Sequence, residues 1–342
     1  MDYSSDEDWP ATKGGRSRDP YTAAHHMLLA HCEAARIYRS DFQEAQGGQI
    51  GMALNSDWAH PASRASAAAA QRAREFQLGW FADPVYFGDY PASMRAACGA
   101  RLPAFTAEES AAIKGSTDFF GVNNYFTKPV FPAPPADSAG AKLLSMFFSR
   151  FGLPHMFSKG WDGDRAAFNL LDDPGWEKTD VGWPIVPWGL RDLLLYIQRH
   201  YAPRGGIAIL ENGCAHEPAE SKALEAAQPH APRPCGGGRP EGEDLDAATF
   251  EDPERIRYLR AHLSAVHAAR SAGADVRAYF AWSLLDNLEW RSGYKLRFGL
   301  VRVDFRTQQR TIKGSGRFYG RVIRDGGLEA PPKSEQYKGF VF

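Results

Sequence analysis

Apolar positions along the chain fall into two alternating patterns. After Asp19-Pro20, a pair suited to a helix N-cap and a proline at the first helical position, Ala24, Met27, Leu28, His31, Ala35, Tyr38 and Phe42 recur at helical spacing. Gly47-Gly48 ends that segment, and Ile50 to Leu54 is a short apolar run leading into Asn55-Ser56-Asp57-Trp58. An alanine-rich helix is expected from Ala62 to Gly79, and Thr106-x-x-Glu109 has the form of a capping box. Asp118 to Val122 reads as a strand whose end is Asn123-Asn124-Tyr125. A helix over Leu190 to Tyr201 precedes the apolar strand Gly206 to Leu210, which runs into Glu211-Asn212-Gly213. Asp252-Pro253 opens a further helix with Ile256, Leu259, Leu263 and Val266 on one face. The strand Val276 to Ala281 ends in Trp282, and a short strand (Gly299 to Phe305) and a helix close the chain.

This alternation predicts four βα units and a parallel sheet. Polar or aromatic residues follow each strand, where ligands bind in parallel α/β folds. Four units are half of a (β/α)8 barrel; a small doubly wound sheet has the same pattern. Residues 129–180 and 214–250 are rich in Gly and Pro and read as long loops on the side of the site, and 1–18 are expected to be disordered.

The composition narrows the class. A formal net charge of -1 over 342 residues suits neither a nucleic-acid groove nor an anionic membrane surface as partner. No apolar run reaches the ~18 residues of a spanning helix, and the polar start is not a signal peptide. Cys32, Cys98, Cys214 and Cys235 lack metal-ligand spacing, so no metal and no cofactor is expected; Cys214 and Cys235 are close enough to bridge. Nine Trp are a mild hint of sugar stacking, although large core side chains are the commoner reason for them. The compartment and the oligomeric state stay open.

Glu-Asn-Gly alone is a weak signal, since Asn-Gly after a strand is a turn pair and a neighbouring Glu is usually solvated. Its place at the end of a buried strand, together with Asp286-Asn287-Leu288-Glu289-Trp290 beyond the last long strand, strengthens it. Here the sequence resembles glycoside hydrolase family 1, the β-glucosidase family. The resemblance rests on Ile207 to Gly213, on Trp282 to Trp290 (Leu288 replacing Phe), and on Asp118 to Tyr125. Asp83-Pro84 with Gly88-Asp89-Tyr90-Pro91, Gly182-Trp183 with Pro187 and Gly189-Leu190, and Arg297-Phe298-Gly299 complete it. Order and spacing fit from about Pro20 to Tyr319.

The resemblance implies a retaining β-glycosidase whose nucleophile is Glu211, acting on a small-molecule or oligosaccharide β-glycoside. Tyr125 would orient the nucleophile, with Asn123 nearby. Glu289 would accept hydrogen bonds from sugar hydroxyls, Trp290 would hold the ring, Trp282 would form its floor beside Phe298, and Trp183 would carry the leaving group. Glu217 and Glu220 read as solvated loop charges. Retaining hydrolysis uses two carboxyls ~5–5.5 Å apart, yet the family's acid/base segment Thr-Phe-Asn-Glu-Pro has no match. Glu7 has no apolar strand before it and is not assigned that role. The expected fold class is therefore α/β, an incomplete TIM-type barrel comprising strands five to eight with their helices, in a truncated product. Two activities compete: a glycosidase, with transglycosylation as a variant, and a non-catalytic carbohydrate-binding remnant.

Overall fold

The computed structural model describes residues 18–133, 161–169, 173–179, 182–217 and 250–328, together with 139, 140 and 143. The chain divides into two compact units, Met1–Gly175 with Tyr196–Ala208, and Trp176–Leu195 with Ile209–Phe342.

In the first unit, helix α1 (Asp19–Ile37) carries Pro20 in its first turn, but its cap position is Arg18, with no side-chain cap bond. Tyr21, Ala24, His25, Leu28 and Ala35 are its buried residues, whereas Met27 and Phe42 are exposed. The helix widens into a π-helical turn at Tyr38–Phe42 and ends in α2 (Gln43–Gln46) at Gly47, whose positive φ releases the chain. Strand β1 (Gly51–Asn55) pairs in parallel with β3 (Phe119–Asn123), Asn55 opposite Asn123. Phe120 N donates to Gly206 O, which sets the next strand beside β3.

The stretch after β1 departs from expectation. Strand β2 (Trp58–Pro61) precedes the helix, pairing in parallel with β4 (Thr127–Pro132). Helix α3 (Ala67–Arg74) then passes through a π-helical turn into α4 (Trp80–Phe87), so helical structure continues past Gly79. The alanines have a packing reason: Ala69, Ala70 and Ala73 cluster with Ala59, Val130 and Ala167, and small side chains let the helix lie close on the strands. Helices α5 (Ala92–Cys98) and α6 (Ala107–Ile113) follow. The capping box at α6 forms as expected, with Glu109 N donating to Thr106 Oγ1 at 3.1 Å and Thr106 N to Glu109 Oε2 at 2.8 Å. Tyr21, Leu28, Phe76, Val85, Met94 and Ile113 form the core between these helices. Within 129–180, β4, α7 (Trp161–Arg165) and β5 (Ala167–Phe168, antiparallel to β4) replace an unstructured loop among the described residues. Most of 214–250 and nearly all of 1–18 lie outside those residues.

Helix α8 (Pro187–Tyr201) and strand β6 (Ile207–Asn212) each cross from one unit to the other. In the second unit β6 lies next to β7 (Val276–Ala281), with α9 (Pro253–Ser271) and α10 (Gly314–Asp325). The buried stripe of α9 is Arg255, Tyr258, Leu259, His262, Ala265, Val266 and Ala269. Ile256 and Leu263 are half-buried, so this face mixes polar and apolar groups where an apolar one was expected. The last strand is shorter than Gly299 to Phe305: β8 (Val301–Val303) forms an antiparallel hairpin with β9 (Arg310–Ile312). Asp304 closes that hairpin by accepting from the backbone N–H groups of Arg306 and Thr307. Parallel strands with helices between them establish an α/β fold. Among the described residues no helix is long and apolar enough to cross a membrane.

Candidate active site

The second unit brings together Glu211, Trp282, Glu289, Trp183 and Phe298. Strand β6 does not stop at Leu210; it continues through Glu211 and Asn212. Glu211 is half-buried at its mouth. Gly213 does not adopt a positive φ, so the expected turn is not its purpose. A Cβ at Gly213 would run into the backbone carbonyl of Trp282, and Trp282 N donates to Asn212 O at 2.9 Å. Glycine here permits the close approach of β6 to the residue ending β7.

Trp282 is joined to Ser283 by a cis peptide bond, and its indole Nε1 donates to Glu289 Oε1 at 3.1 Å. Glu289 is only 5% exposed. Burial pushes its carboxyl above the ordinary carboxylate range; the charges of Glu211 and Asp286 push the same way, and the Trp282 N–H opposes them. The two glutamates thus lie within electrostatic reach of each other. Trp183 packs on Phe298 with ring centroids 5.6 Å apart at 52°, and Ser283 N donates to Phe298 O at 3.1 Å. Trp290 is exposed, as are Phe280, Leu284 and Leu288. Asn123 and Tyr125 stand at and after the end of β3 in the first unit, both half-buried; Asn123 Oδ1 is buried with no hydrogen-bond partner among the described residues.

The acid of Asp286-Asn287 serves the loop. Buried Asp286 accepts from Gly299 N (2.8 Å), Val303 N (3.2 Å) and Lys313 Nζ (3.2 Å), with Arg297 at 3.5 Å. These bonds fix the segment that presents Trp282, Glu289 and Phe298. Glu217 is not a solvated charge: it is largely buried and pairs with Arg297 at 3.8 Å. Glu220, Glu7 and Cys235 lie outside the described residues. Among the described residues no group of three or more His, Cys, Asp or Glu could hold a metal ion.

Sequence reasoning missed Asn212, Tyr258 and Tyr279. Asn212 Nδ2 donates to Tyr258 Oη at 3.1 Å, and Tyr279 Oη donates to Asn212 Oδ1 at 2.7 Å. The available signal was strand alternation: continuing β6 through Asn212 puts its side chain on the face opposite Glu211, toward helix and neighbouring strand.

The chain belongs to glycosyl hydrolase family 1, whose model matches residues 7–228 and 235–328. Among curated relatives, "Beta-glucosidase 11" of Oryza sativa subsp. japonica is 37% identical over 328 residues, covering 92% of this chain and 54% of the relative. "Beta-glucosidase 1B" of Phanerodontia chrysosporium is 36% identical over 329 residues, covering 95% and 53%. A mutant of rice Os3BGlu6 beta-glucosidase, solved in a covalent complex with Glc from GA4GE, superposes with a TM-score of 0.72 at 36% identity, covering 91% of this chain and 58% of that one. A family 1 beta-glucosidase from Humicola insolens in complex with glucose gives 0.73 at 32% identity, covering 93% and 60%. The chain spans about half the length of the curated relatives it matches.

Proposed function

We propose that the chain carries the nucleophile half of a retaining β-glycosidase site, with Glu211 attacking the anomeric carbon of a β-glycoside. The carboxylate oxygen forms the bond to carbon as the bond to the aglycone oxygen breaks, giving a covalent glycosyl-enzyme that water then hydrolyses with retention. An acceptor hydroxyl can replace water, giving transglycosylation. The family resemblance assigns Tyr125 the role of orienting the nucleophile and Asn123, whose Oδ1 has no hydrogen-bond partner among the described residues, a role in sugar binding. Glu289, steadied by the Trp282 indole, accepts from the sugar's outer hydroxyls, and Trp290 helps hold the ring. Trp282 and Phe298 form the floor, and Trp183 is the aglycone platform.

The observation that carries this reading is Glu211 at the end of β6, close enough to Glu289 for its charge to raise that carboxyl. The covalent glucose complex of the rice relative supports it. The sequence contains no Asn-Glu-Pro segment to protonate a leaving group. This chain alone should therefore be confined to aglycones that depart without a proton. The test uses 2,4-dinitrophenyl 2-deoxy-2-fluoro-β-glucoside, whose leaving group needs no acid. Intact-mass analysis should show one added fluoroglucosyl group, peptide mapping should place it on Glu211, and Glu211→Gln should abolish it. Labelling elsewhere, or none, removes the assignment.

The lack of Asn-Glu-Pro also favours a second reading, a carbohydrate-binding protein without turnover. Calorimetry with glucose and cellobiose separates the two: heat of binding without labelling of Glu211 selects the second.

A further inference from the structure

The Asn212 side chain is fully buried and engaged at both ends by phenols from different elements, Tyr258 of α9 and Tyr279 of β7. Each phenol is itself held. The Tyr258 ring stacks on His262 at 3.9 Å and 22°, and Tyr319 Oη donates to the backbone carbonyl of Tyr279 at 2.8 Å. The chain of donors runs in one sense, Tyr279 to Asn212 to Tyr258, so each bond polarises the next. On the backbone, Asn212 O accepts from Trp282 N, and Gly213 admits Trp282 against the strand. A side chain whose only task was burial would be apolar here; an amide with two dedicated partners specifies a position and an orientation.

Successive strand residues project to opposite faces, so Asn212 points away from the side on which Glu211 stands. It cannot touch a sugar bound there, but it shares a backbone with Glu211, and Tyr279 shares one with Trp282. We propose that Asn212, gripped by Tyr258 and Tyr279, is a positioning residue that fixes the separation of Glu211 from Glu289 and Trp282. The inference rests on the nucleophile reading only in taking Glu211 as the group whose placement matters. The tie locks β6 to β7 one residue beyond the carboxylate, where fraying of the strand end would otherwise let Glu211 drift. A one-ångström drift at a reacting group is enough to cost a hundredfold in rate.

The test reads the spacing through charge, without turnover. The full chain, 13C-labelled at glutamate carboxyls, is titrated by NMR, with Glu211 and Glu289 assigned from the signals lost in Glu211→Gln and Glu289→Gln. In the unaltered chain, Glu211→Gln should lower the Glu289 midpoint, because it removes a like charge that holds that carboxyl up. In Tyr258→Phe and Tyr279→Phe, which keep the rings, the same replacement should move Glu289 by less than half as much. Asn212→Asp still offers both phenols an acceptor and should retain the larger effect, which keeps the inference testable if either phenylalanine variant fails to fold. Full coupling in folded Tyr258→Phe or Tyr279→Phe overturns the proposal. Loss of coupling in these variants beside a Glu211 that takes no fluoroglucosyl label upholds it and sinks the nucleophile reading alone.

Discussion

Two buried ionisable side chains, Asp83 and His262, give the folded chain opposing responses to acid. Burial pushes the Asp83 carboxyl up to about 6, against the pull of the Tyr201 phenol that donates to it at 2.7 Å. The folded state therefore keeps this proton where the unfolded chain, near 3.9, has lost it. Asp83's contribution is complete below about pH 4 and vanishes as pH rises through about 6. His262 behaves oppositely. Burial pushes its imidazole down to about 4, the Tyr258 carbonyl opposing, so its contribution is complete above about pH 6.5 and lost on descending through about pH 4. Each is worth about 3 kcal/mol at 1.36 kcal/mol per pKa unit. Asp83→Asn should make stability fall more steeply between pH 6.5 and 4, and His262→Gln should make it fall less, as read by urea denaturation at both pH values. Unchanged slopes in both variants would show that neither group is linked to folding. At this scale the position of Glu211 at the end of a strand was legible because an apolar run leads into it. Glu217 was not, because the partner that buries it, Arg297, lies far along the sequence.

Among the elements, those with strong periodicity or a local cap could be read directly: α1, the Thr106 capping box, α8, α9 and the four strands β1, β3, β6 and β7. What failed was set by tertiary contact. Strands β2 and β4 exist because they pair with each other, and Trp58-Ala-His-Pro carries no alternation to announce it. The buried stripe of α9 includes Arg255 and His262, which hydrophobic periodicity ignores. Arg255 is satisfied by Asp252 and by the carbonyl of Arg297, and His262 by the carbonyl of Tyr258. Gly213 shows the limit most plainly, since the same dipeptide serves a turn or a close strand contact. Gly213→Ala should therefore cost about 1–3 kcal/mol, the range for overpacking, and should also slow fluoroglucosyl labelling of Glu211. A variant with unaltered Tm would mean that β6 and Trp282 have room to separate.

For the whole chain, family membership was readable because several motifs recur in fixed order, each pinned by a different physical demand. The indole of Trp282 must meet Glu289, Gly299 must admit the backbone of Asp286, and Gly213 must admit Trp282. Such demands leave short signatures even where the intervening loops carry none. One of them also sets how the molecule ages. Asparagine followed by glycine is chemically fragile, because the glycine nitrogen can attack the side-chain amide carbon, close a succinimide ring and expel ammonia. In the native state Asn212 is held at both ends by tyrosines and Gly213 lies close against Trp282, so turning the amide toward the glycine nitrogen would break both hydrogen bonds. Opening of that ring by water, to aspartate and isoaspartate at residue 212, should then follow only opening of the second unit, and peptide mass analysis should find it fast in guanidinium and nearly silent in native buffer. Equal rates in the two conditions would contradict this. The deamidated fraction of an old sample would serve as a clock, recording the cumulative time the chain has spent unfolded.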